Sequence, residues 1–159
     1  MLKKKSLGQN FLNSPKIVSD IVEAGNVGSS ETVLEIGPGE GVMTEKLLET
    51  GAHVICIEKD DRLIPELHKR FLKEISGKQL ELIHADVLDT GITHIIKVKY
   101  KVVANIPYYI TGQIIRMFLE CDNQTEKMTL LVQKEVAERA VARDGKESLL
   151  SLSIKIFGD

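Results

Sequence analysis

Apolar and polar positions along this chain follow two rhythms. The first is the short run of consecutive apolar residues. It occurs at residues 31–36 (ETVLEI), 53–58 (HVICIE), 79–86 (QLELIHAD), 100–105 (YKVVAN) and 127–133 (KMTLLVQ). Runs of this length, bounded by glycine or polar residues, predict strands buried on both faces. The second rhythm spaces apolar residues three and four apart, the period of a helix lying on a core. Ile17, Val18, Ile21 and Val22 form one such stripe, with Ser14 as N-cap, Pro15 at the first helical position and Gly25 just past the end. Ile114, Ile115, Phe118 and Leu119 form a second, and Val136, Ala137, Ala140 and Val141 a third, facing inward. Residues 42–50 predict a helix closed by Gly51; residues 60–75 predict a single helix that tolerates Pro65 only near its first turn. Residues 149–157 alternate, with Leu150, Leu152, Ile154 and Ile156 against Ser151, Ser153 and Lys155, which predicts a sixth strand exposed on one face.

Strands alternating with amphipathic helices, with no repeat and no linker between them, make residues 1–159 one α/β domain around a doubly wound, mostly parallel sheet. Composition agrees: 43% hydrophobic and 28% charged residues describe a soluble, folded chain. No apolar run approaches the roughly 18 residues of a membrane helix, so no membrane is expected. The amino-terminal lysines precede no apolar stretch of the secretory kind. Cys56 reads as a small core residue, and Cys56 and Cys121 match no metal or redox spacing. A reducing, cytoplasmic setting and no metal are expected. The net charge of −2 does not advertise a nucleic-acid binder. It is unevenly spread, however. Residues 1–19 carry Lys3, Lys4, Lys5 and Lys16 and no acid, either a solvated terminus or an arm for phosphates.

In a doubly wound sheet, ligands sit outside the carboxyl ends of the strands. After the first strand come Gly37, Gly39 and Gly41, spaced G-x-G-x-G. Val42 stands where a dinucleotide fingerprint would put its last glycine. Glu35, just before this turn, can fix the glycine loop through main-chain N–H groups or take a ligand's ammonium. Glu58 ends the second strand; a carboxylate there has two oxygens for the two hydroxyls of a ribose, or belongs to an acid-rich helix start. Asp86 after the third strand can accept from an adenine amino group or cap a turn. After the fourth strand come Asn105, Ile106, Pro107 and Tyr108. The Asn105 side-chain carbonyl and the main-chain carbonyl of Pro107 (or Ile106) form a pair of acceptors for the two N–H groups of an adenine amine. Proline holds the turn, and Tyr108 offers a face for a base swung out of its stack. The alternative is a turn with a core aromatic.

The stretches GQNFLN, EIGPGEG, IEKD, HAD, NIPYYIT and LLVQKEVAER, in this order, resemble the ribosomal RNA adenine N6-dimethyltransferases, and most nearly those of the small ribosomal subunit. The similarity runs from residue 6 to about residue 156. The resemblance implies a class I methyltransferase fold, S-adenosylmethionine as donor and the small-subunit ribosomal RNA as partner. It implies cofactor contacts from Asn10 and Leu12, Gly37 and Gly39 on the methionine side, Glu58 on the ribose and Asp86 on the adenine amine. Asn105 would join cofactor and target base, and Tyr108 would stack on the target. No residue is implied as a strong base, because a sulfonium is already an activated donor.

Two departures stand out. Family members continue past the position of Asp159 with a last, antiparallel strand and a small helical domain that grips RNA. The chain is therefore expected to be a fragment lacking that helical domain. It would be a monomer able to associate through an unpaired sheet edge, binding cofactor but methylating RNA poorly. Second, Ile106 stands where small-subunit enzymes commonly carry leucine. Isoleucine occurs there in the large-subunit, macrolide-resistance methyltransferases, which makes these the first alternative. A non-catalytic ribosome-assembly factor with a retained pocket is the second. A nicotinamide-dependent dehydrogenase is disfavoured by the glycine spacing and by the lack of a proton-transfer partner.

Overall fold

The computed structural model describes residues 14–91 and 95–141, apart from the side chain of Tyr108. The order is α1 (Pro15–Gly25), β1 (Thr32–Ile36), α2 (Val42–Glu49), β2 (His53–Glu58), α3 (Ile64–Arg70), α4 (Leu72–Ser76), β3 (Leu80–His84), β4 (Lys101–Asn105), a 3₁₀ turn (Tyr108–Ile110), α5 (Thr111–Glu120), β5 (Lys127–Leu131) and α6 (Lys134–Ala140). The five strands form one sheet in the order β3-β2-β1-β4-β5, every pair parallel. The order reverses at β1, so the crevice between the ends of β1 and β4 is the switch point where such sheets bind ligands.

The sheet is covered on both faces, and alternation along each strand sorts side chains between them. Val33, Val54, Cys56 and Val103 point into one core with Val18, Ile21, Leu47, Leu67 and Phe71. Leu34, Ile36, Ile55, Ile57, Val102 and Ala104 point into the other, with Tyr100, Ile114 and Phe118. This explains the continuous apolar runs of β1, β2 and β4. The outer strands β3 and β5 are only partly buried.

The structure corrects the sequence reading in several places. Gly25 is the last residue of α1, and the left-handed cap is Asn26 (φ 48°). Gly25 serves packing instead: a Cβ there would sit 3.0 Å from Cγ2 of Val103, so helix and sheet touch through it. The expected single helix over residues 60–75 is two, broken at Phe71 (φ −109°, ψ 29°). The ring of Phe71 is buried beneath the glycine loop, and a regular helix is given up to put it there. In α6 only Val136 is buried; Ala137 is exposed and Val141 is 71% exposed, so the expected inward stripe does not form there. The sixth strand, and with it the expected disposition of the sheet edge, falls outside the described residues.

Candidate functional site at the carboxyl rim of the sheet

The loop after β1 is held in place from three sides. The N–H of Gly37 continues the ladder to the Ile57 carbonyl (2.9 Å), and that of Gly41 closes a turn on the Pro38 carbonyl (2.9 Å). Arg70 reaches across from α3 to the Glu40 carbonyl (2.5 Å) and to Glu45 (2.6 Å), its guanidinium 5.2 Å from the centre of the Phe71 ring. Two glycines show what the turn demands. Gly41 (φ 81°) has the Phe71 ring against it, with Cε2 only 2.5 Å from where a Cβ would be. Gly37 (φ 67°) has nothing within 4 Å of that position. One glycine makes room for the core; the other leaves the rim open for a ligand to approach main chain.

Glu58 is the partner of this loop. It is buried, its Oε2 accepting from the Gly39 N–H (3.2 Å) and its Oε1 from the Asp60 N–H (2.7 Å). Burial pushes its carboxyl up; the main-chain N–H groups of Asp60, Gly39 and Lys59 pull it back. It is not part of a helix start, because α3 begins only at Ile64. Main-chain N–H groups hold both oxygens, so the carboxylate is oriented before any ligand arrives.

Beside it, just after β3, Asp86 caps the turn that follows and takes an ion pair that the sequence did not suggest. Its Oδ1 accepts from the Leu88 N–H (3.1 Å), and its Oδ2 pairs with the ammonium of Lys59. The Lys59 hydrogen bond holds Asp86 below the usual carboxylate range and, reciprocally, holds Lys59 above its own. Nothing in the spacing of the sequence singled out Lys59 or Arg70. Both act through contacts made across the fold.

On the other side of β1 the register pairs Ile36 with Ala104, so Gly37 and Asn105 follow on adjacent strands. Asn105 ends β4, half-buried. The Pro107 carbonyl is engaged within the turn, accepting from the Ile110 N–H (3.2 Å) and the Thr111 hydroxyl (3.4 Å). Of the two main-chain acceptors left open by the sequence, this favours Ile106 over Pro107. Tyr108 begins the 3₁₀ turn, its side chain outside the described part; Tyr109 stands 64% exposed. Asn10 and Leu12 lie outside the described residues.

Glu35 is not where the sequence reading expected it. It bonds none of the loop's N–H groups. It is fully buried on the α1–α2 face, its Oε2 accepting from the hydroxyl of Thr44 (2.6 Å) and the thiol of Cys56 (3.3 Å). Its Oε1 has no partner. Burial therefore raises the Glu35 carboxyl to about 7 and, with Glu35 beside it, pushes the Cys56 thiol up as well. Holding the loop, the task suggested for Glu35, falls to Glu58.

A separate groove of about 550 Å³ opens at the opposite ends of β1, β4 and β5. Its charges pair among themselves, Lys101 with Glu31 (2.7 Å) and Lys99 with Glu126 (3.2 Å), and it lies far from the rim. Among the described residues no group of His, Cys, Asp and Glu is placed to hold a metal, and no helix is long and apolar enough to cross a membrane.

The sequence profile of the family described as ribosomal RNA adenine dimethylase matches residues 1–158. This chain belongs to that family. One relative, the ribosomal RNA small subunit methyltransferase A of Dehalococcoides mccartyi, is 44% identical over 158 residues, 98% of this chain and 53% of the relative. The protein of the same name from Enterococcus faecalis is 41% identical, over 96% of this chain and 53% of its own. Two solved structures superpose closely. One is a dimethyladenosine transferase from Plasmodium falciparum (TM-score 0.78, 35% identity, 92% of this chain and 52% of that one). The other is the 23S rRNA methyltransferase ErmE (TM-score 0.77, 30% identity, 92% and 57%). The chain thus spans about half the length of the curated relatives it matches. The class I methyltransferase fold is that of its structural neighbours.

Proposed function

We propose that residues 1–159 are the catalytic domain of an S-adenosylmethionine-dependent ribosomal RNA adenine N6-dimethyltransferase, acting in the cytoplasm on two adjacent adenosines of the small-subunit RNA. The observation that carries this reading is convergence. The open Gly37 loop, the oriented carboxylate of Glu58, Asp86 and Asn105 stand on four neighbouring strand ends of one rim. That row fits the parts of the cofactor in sequence: methionine against Gly37 and Gly39, ribose on Glu58, adenine amine on Asp86.

When bound, S-adenosylmethionine supplies a methyl group already activated on a sulfonium, so the chain needs to position rather than to activate. Adenine's exocyclic nitrogen is a poor nucleophile because its lone pair is delocalised into the ring. The Asn105 side-chain carbonyl and the Ile106 carbonyl would accept its two N–H groups and favour a pyramidal nitrogen facing the methyl. Tyr108 would hold the base by stacking. The released proton passes to solvent. Calorimetric titration with S-adenosylmethionine tests the reading: Glu58→Ala should weaken binding tenfold or more while the chain stays folded, and unchanged affinity would refute it.

Ile106 and the likeness to ErmE favour a second target, the large-subunit RNA. Methylation of isolated small subunits against protein-free 23S RNA separates the two.

A further inference from the structure

Neither cofactor nor target base accounts for Tyr109. It follows the clamp residues directly in the 3₁₀ turn, yet is 64% exposed. The surface beside it is open, since a Cβ on Gly112 would meet nothing within 4 Å. Lys59 reaches the same rim from β2 with a side chain 59% exposed. Its ammonium uses a donor on Asp86, and β2 and β4 flank β1 in the sheet, so Lys59 and the turn that carries Tyr109 stand two strand spacings apart, roughly 10 Å. An ammonium has three donors, so Lys59 can take a further acceptor without leaving Asp86.

Swinging an adenine out of a strand leaves its neighbour with an uncovered face. We propose that Tyr109 and Lys59 form a second nucleotide subsite: the ring stacks on the base adjacent to the target, and the ammonium takes the phosphate between them. This rests on the methyltransferase reading above. Every base has a face to stack, and an ammonium meets phosphate as a point charge. The subsite therefore fixes the register of a single-stranded segment without reading its sequence.

The test uses a short single-stranded RNA with 2-aminopurine next to the target adenosine, titrated into the chain saturated with S-adenosylhomocysteine. Binding should quench the 2-aminopurine fluorescence. Tyr109→Ala should abolish the quench and weaken binding roughly tenfold. Tyr109→Phe should keep both. Lys59→Gln should keep the quench but flatten the dependence of affinity on salt by about one phosphate contact. Equal quench and affinity in Tyr109→Ala, or no RNA binding by a chain that holds S-adenosylhomocysteine, overturns the subsite alone. A folded chain that holds neither RNA nor cofactor overturns the methyltransferase reading with it.

Discussion

At the β1–β2 end of the rim both oxygens of Glu58 already hold main-chain N–H groups, and the loop they serve rests on the buried ring of Phe71. At the β4 end a three-residue 3₁₀ turn carries Tyr109 out into water. One half is built before its ligand arrives; the other is a surface. The contrast matches the ligands assigned to them. A small cofactor gains most from a site whose polar groups are fixed in advance. A nucleotide within RNA arrives with its own phosphates and bases and needs exposed faces.

This contrast can be broken in graded ways. The largest effect is expected from Phe71→Ala, which removes the footing of the glycine loop. Denaturant unfolding should show a loss of about 3–5 kcal/mol, as for other buried aromatics, with weaker cofactor binding. A loss below 1 kcal/mol would mean that the ring does not support the loop. Next comes Glu35. Held at about 7 in the folded chain against an ordinary 4.5, its carboxyl binds protons more tightly when folded. Its contribution to stability is complete below pH 4.5 and is lost as pH rises to about 7, on the order of 3 kcal/mol. Glu35→Gln should flatten that slope; an unchanged slope would exclude Glu35 as its source, leaving Glu58, which is raised in the same sense. The smallest effect on folding belongs to Gly37→Ala, about 1 kcal/mol for an L-residue held left-handed. Because the added methyl points into open rim, calorimetry should show cofactor affinity falling further than stability does.

How much of this was legible depends on where each residue's partners lie in the chain. β1, β2 and β4 were readable because burial on both faces keeps their inner positions apolar, Glu35 of β1 excepted. Glu58 and Asn105 were readable because strand ends define the rim. The break at Phe71 was not, because its cause is the glycine loop, thirty residues upstream across the contact that Arg70 also makes. Glu35 was misjudged by proximity to the glycines, although alternation alone puts it with Val33, on the side away from Leu34 and Ile36. The stripe of α6 was periodic, but period specifies a face and not whether anything covers it. Only Val136 found a place in the core.

The spans closed by these contacts also set an order in time. The hydrogen bond between Glu35 and Cys56 joins β1 to β2 across 21 residues, whereas the pair of Lys101 and Glu31 ties β4 to the start of β1 across 70. Closing the longer loop costs about 1 kcal/mol more in chain entropy, and distant pairings slow folding. The β1–α2–β2 unit is therefore expected to assemble first, so pulsed hydrogen exchange should find β2 amides protected before those of β5. Simultaneous protection would contradict this. Growing from its amino end, the chain would own a half-finished cradle for the proposed cofactor before the segment proposed to meet RNA had been made.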